Sequence, residues 1–82
     1  MTYTAELLEE LKILRLFNLA TTQEGIKVHS SAEAEAIAAT RRLYEKGLVT
    51  QEDGGYLTTL GHDAAHHAQD LLTILNGPIM VG

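Results

Sequence analysis

The segment EKGLVTQEDGGYLTTLG, residues 45–61, carries the densest structural signal in the chain. Gly47 follows a charged helical run and suits a left-handed helix terminus. Leu48-Val49-Thr50 and Tyr56-Leu57-Thr58 are short strand-forming runs, and Asp53-Gly54-Gly55 between them supplies the positive φ angles of a tight turn. Thr58 or Thr59 then caps a further helix. The segment reads as helix end, hairpin and helix start.

Working outward, a helix is expected upstream from Ser30 to Lys46. Ser30 and Glu33 fit a capping box, and Ser31 offers an alternative cap. Ala32, Ala36, Ala39 and Leu43 form its inner side, with Ile37 and Tyr44 beside them. Downstream, a helix is expected over about 59–76, stopped by Gly77 and Pro78, with Leu60, Ala64, Ala68, Leu71 and Leu75 as its buried stripe.

A first helix over residues 4–19, capped by Thr4, presents Leu7, Leu11 and Leu14, flanked by Ile13 and Phe17 on one side and Leu8 on the other. Leu16 falls nearly opposite Leu7 at about 100° per residue. This helix is apolar over more of its circumference than one small core requires. Either the apolar tail, residues 77–82, covers the excess or a second copy does. The candidate interface of such a homodimer is Leu8, Ile13 and Leu16 with Ile79 and Val81 from the tail. Between the first two helices, a shortened helix around residues 22–25 leads into an extended Ile26-Lys27-Val28.

The 82 residues suffice for a single domain, residues 1–82, with one core. One Phe, three Tyr and no Trp mean that the core is mainly aliphatic, and the absence of cysteine excludes disulfides and thiolate chemistry. The opening MTYTAELLEELK lacks a basic and then apolar leader, and no apolar run spans a bilayer, so a cytoplasmic protein with no membrane partner is expected. The net charge of −5 weighs against nucleic acid, because phosphate neutralisation takes Lys and Arg.

Helix, short connector, helix, hairpin, helix is the element order of a winged-helix (winged helix-turn-helix) domain. The segment RRLYEKGLVTQEDGGYLTTLGHDA resembles the part of bacterial winged-helix regulators where the recognition helix ends in Leu-x-x-x-Gly-Leu-Val. There a wing follows, and the last helix opens with Leu-Thr-x-x-Gly. Here the corresponding residues run from Leu43 to Val49 and from Leu57 to Gly61, with the wing at about 48–58. The full string also resembles a small proteobacterial family whose members carry a DNA-binding label. The resemblance implies an α+β, mainly helical fold with a two-stranded wing. The helix that normally precedes a recognition helix is nearly absent here, squeezed into residues 21–27.

That resemblance implies a regulator contacting double-stranded DNA through the outward side chains of the second helix. Ser31, Ala34, Glu35 and Ala38 would lie in the major groove, and Arg42 could reach a guanine edge or a phosphate. Lys27, His29, Arg41, Arg42 and Lys46 would form a basic patch. The alternative for the arginines is a solvated pair offsetting Glu45 and the helix terminus. The wing tip, Gln51-Glu52-Asp53, is acidic where a DNA-gripping wing is basic. The competing expectation is therefore a protein-interaction or dimerisation module that keeps the frame without binding DNA.

His62 and His66, four residues apart on the last helix, have workable spacing for two metal ligands, with Asp63, Asp70 and His29 the available supplements. Surface histidines are the plainer account, and His67 is expected partly buried beside the Leu60–Ala64–Leu71 stripe. No phosphate-binding glycine loop or nucleophile with a base is legible. No catalytic residue, cofactor, metal or small-molecule substrate is expected.

Overall fold

The computed structural model describes residues 3–20, 25–29 and 31–77. Its elements are α1 (Ala5–Leu14), β1 (Ile26–Lys27), α2 (Ala34–Glu45), β2 (Val49–Gln51), β3 (Gly54–Leu57) and α3 (Thr59–Leu75). The strands form an antiparallel sheet in the order β1-β3-β2. The fold is α+β, mainly helical and winged-helix-like.

Local sequence signals account for most element boundaries. Thr4 caps α1, its hydroxyl accepting from the Leu7 N–H at 3.1 Å. Gly47 takes φ +80° after α2, as the sequence predicts, and Gly54 and Gly55 are the other positive-φ residues described. At the junction of hairpin and last helix, the Thr58 hydroxyl accepts from the Gly61 N–H at 3.0 Å and donates to the Gly47 carbonyl at 2.6 Å. The Thr58 N–H adds a bond to the Leu48 carbonyl at 3.0 Å. One side chain thus satisfies an orphan donor at the start of α3 and an orphan acceptor just past α2.

Several expectations are corrected. The first helix stops at Leu14 instead of residue 19, because tighter i→i+3 bonds close Leu16 onto Ile13 and Phe17 onto Leu14. Asn18 then accepts from the Ala20 N–H and turns the chain. Ser31 does not cap the second helix: the N-cap is Glu33, without a side-chain bond, after a turn that joins Ala32 N–H to the His29 carbonyl. Ser30 lies outside the described residues, as do residues 22–24 of the expected short helix and the tail from residue 78. The hairpin turn sits at Glu52-Asp53, and Gly54 and Gly55 enter β3. There Gly54 pairs with Lys27 and Gly55 with Ile26, making β3 the central strand. A side chain at Gly54 would strike the Ile26 carbonyl, so glycine lets β1 lie this close.

The core holds Ile13, Leu14, Phe17, Ala39, Leu43, Val49 and Ala65, with Ile26, Val28, Leu48, Leu57 and Ala64 packed around it. Thr40 is fully buried and satisfied, its hydroxyl donating to the Ala36 carbonyl at 2.7 Å. Ile37 and Tyr44, expected inward, are exposed. The largest correction concerns α3. Its inner face is Gly61, Ala65 and Ala68, with Leu72 half-buried, whereas Leu60, Leu71 and Leu75 face out, and His67 with them. The cause is Gly61, which abuts the Leu48 backbone so closely that a Cβ would overlap its carbonyl oxygen. That approach turns the small-residue face of α3 toward the core.

Two substitutions test this junction. Gly61→Ala has no flexible neighbour to displace and should cost at least about 2 kcal/mol. Thr58→Ala should cost about 1–2 kcal/mol, and Thr58→Ser, which keeps the hydroxyl, clearly less. Urea denaturation measures both; a neutral Gly61→Ala would contradict the close contact.

Candidate interaction surface

The sequence places Arg41, Arg42 and Lys46 on one basic patch, and the structure divides them. Arg42 is turned toward α1. Its Nε donates to Glu10 Oε2 at 3.0 Å, and a terminal nitrogen donates to the Glu6 carbonyl at 3.1 Å. Lys46 Nζ donates to the other Glu10 oxygen. Glu10 is 5% exposed, so its carboxylate, held by two cations, fastens α1 against α2. In the structure Arg42 and Lys46 are thus both engaged by Glu10. Sequence inspection passed over Glu10, although it shares the helical spacing of Ile13, Leu14 and Phe17.

The remaining candidates fall around two depressions. Lys27, in β1, and His29, just beyond it, meet Arg41, Ile37 and the hairpin residues Glu52 and Asp53 around a cleft of about 450 Å³. Arg41 is shared between Glu45 at 3.7 Å and Glu52 at 3.9 Å, all three side chains being well exposed. Pairs of this kind contribute little to stability, but they offset the arginine's charge locally. Ala34, Glu35, Ala38 and Arg42 line a shallower groove of about 340 Å³ with Ala5, Glu6 and Glu9 of α1, which is acidic overall. Ser31 is exposed ahead of α2.

Of the candidate dimer residues, Ile13 is withdrawn. It is 4% exposed and belongs to the core. Leu8 and Leu16 remain on the surface, at 48% and 57% exposed, and Ile79 and Val81 lie outside the described residues. On α3, the rings of His62 and His66 lie 5.9 Å apart, and His66 Nδ1 is 3.5 Å from Asp70. Among the described residues no group of three or more His, Asp or Glu is disposed to hold a metal ion. No helix among them is long and apolar enough to cross a membrane.

Glu10→Ala should destabilise the fold by about 2–3 kcal/mol, since it removes two charge-assisted bonds that join α1 to α2. Thermal denaturation monitored by circular dichroism measures the loss, and a shift within error of wild type would show that the contact is peripheral. No curated protein and no solved structure matches the chain significantly. A family model described as a family of unknown function (DUF5669) matches residues 1–76, and the chain belongs to that family.

Proposed function

We propose that this chain is a cytoplasmic, non-enzymatic protein-interaction module that uses a winged-helix-like frame without binding DNA. The observation that carries this reading is the Glu10 contact, which engages both Arg42 and Lys46. A recognition surface needs cations free to displace counterions from phosphate. On the outer face of α2, Arg41 stands between two glutamates, and the hairpin tip adds Glu52 and Asp53. The net charge of −5 makes the approach to a polyanion unfavourable as well. The absence of cysteine accords with a reducing compartment.

The rival reading is a small DNA-binding regulator. Its support is the element order together with Lys27, His29 and Arg41 gathered at one cleft. A single titration separates the two. Fluorescently labelled duplex DNA should show no salt-sensitive binding at micromolar protein in low salt. Binding that weakens with salt, and is lost in Lys27→Ala/Arg41→Ala, would establish the regulator instead.

A further inference from the structure

Helix α3 runs out into Asn76-Gly77, ahead of Pro78. Asn76 is the C-cap of the helix, exposed, with φ −95° and ψ 5°. Its backbone N–H and its side-chain Nδ2 both donate to the Leu72 carbonyl at 2.9 Å. The Gly77 N–H donates to the Ile74 carbonyl at 3.2 Å. A carboxamide one residue before a glycine has a nucleophile in its own chain. The glycine nitrogen reaches the side-chain carbon by closing a five-membered ring, and no side chain of its own stands in the way. The other asparagine of the chain, Asn18, lacks both features. It precedes the branched Leu19, and its Oδ1 is occupied as acceptor for the Ala20 N–H.

We propose that Asn76 is a self-modification site, converted to isoaspartate and aspartate by attack of the Gly77 nitrogen at a rate that the cap of α3 sets. The proposal is independent of what the domain binds. In the first step a bond forms between the Gly77 nitrogen and Asn76 Cγ, and the Cγ–Nδ2 bond breaks. The proton of the Gly77 nitrogen leaves with Nδ2 as ammonia. Water then opens the resulting succinimide at either carbonyl. Opening at the former backbone carbonyl gives isoaspartate, and opening at Cγ gives aspartate. The native cap opposes the first step, because the Nδ2 bond turns the carboxamide back along the helix toward Leu72 and the Gly77 N–H is engaged by Ile74. Reaction waits for the last turn to open, which helix ends do at little cost. The product in turn keeps that turn open. A carboxylate cannot donate to the Leu72 carbonyl, and it sets a negative charge at the negative end of the helix dipole. No basic residue in the last turn of α3 offsets that charge. Isoaspartate also lengthens the backbone at the cap by one methylene.

Incubation of the purified chain at neutral and mildly alkaline pH, followed by peptide mapping with mass spectrometry, is the test. Isoaspartate should accumulate at position 76, in excess of aspartate and faster at the higher pH, while Asn18 stays intact. The same chain unfolded in urea should convert roughly tenfold faster, because the cap bonds no longer have to open first. Gly77→Ala should slow the folded chain severalfold. Gly77 is not among the positive-φ glycines, and a Cβ there meets the Ile74 carbonyl at 3.3 Å, so this variant keeps the fold, as its melting curve should verify. Asn76→Asp, which carries the charge of the product, should accelerate amide hydrogen exchange over residues 73–76 and leave exchange in α1 and α2 unchanged. A folded chain with no isoaspartate at position 76 after the unfolded chain has converted overturns the proposal. So does aspartate without isoaspartate, which would exclude the Gly77 nitrogen as the attacking group. Equal rates in the folded and unfolded chains would overturn the control assigned to the cap.

Discussion

The contact on which the rest of the fold depends is the carboxylate of Glu10 between Arg42 and Lys46. It joins the first helix to the second across more than thirty residues of sequence, and both oxygens are occupied. A buried carboxylate with one cation removed would be strongly unfavourable, so the pairing is sensitive to the relative placement of α1 and α2. Leucines alone would tolerate sliding; a doubly held carboxylate does not. With α1 so placed, its last carbonyl and the turn after it meet Gln69, whose side-chain amide donates to the Leu14 carbonyl at 3.4 Å and the Phe17 carbonyl at 2.8 Å. The third helix is thereby referenced to the first, and the core closes between them.

The same contact has a chemical consequence for the surface. Two of the three cations in the Arg41–Lys46 region are directed inward along the α1–α2 seam. A regulator that reads DNA with its second helix keeps its cations at the outer face. Here the helix retains Ala34 and Ala38 there, which permit close approach by a partner, together with an arginine already set between acids. That face therefore carries little excess positive charge.

Local chemistry was legible in the sequence. Thr4, Gly47, the two hairpin glycines and Thr58 each act through bonds within a few residues, or through a φ value that only glycine takes cheaply. Long-range geometry was not. The pairing of Ile26-Lys27 with Gly55-Gly54 depends on strands far apart in the chain, and an extended dipeptide carries no signal of which edge it joins. The two stripes of α3 have the same helical period, so hydrophobicity favoured the leucines for the core. Distance of approach decides otherwise, since a backbone drawn tightly against Leu48 admits only Gly61, Ala65 and Ala68. A run of small residues at i, i+4 and i+7 was the available clue.

The hairpin shows how frame and chemistry separate. In the sequence it resembles a gripping wing, but β1 flanks β3 on the side away from β2, so the strand is bonded along both edges. Val28 N–H reaches the Asp53 carbonyl at 2.7 Å and draws the turn itself into that pairing. A wing that clasps nucleic acid offers cations at its tip. This one is held along its length and ends in Glu52 and Asp53. Its mechanical role is to connect Gly47 to Thr58, fixing where α2 ends and α3 begins. It thereby sets the rotation of α3 that turns the small residues in and leaves Leu60, Leu71 and Ile74 facing outward. The outward apolar stripe is thus a consequence of the hairpin's geometry, and the acidic tip can stay acidic because bracing the helices asks nothing of its charge.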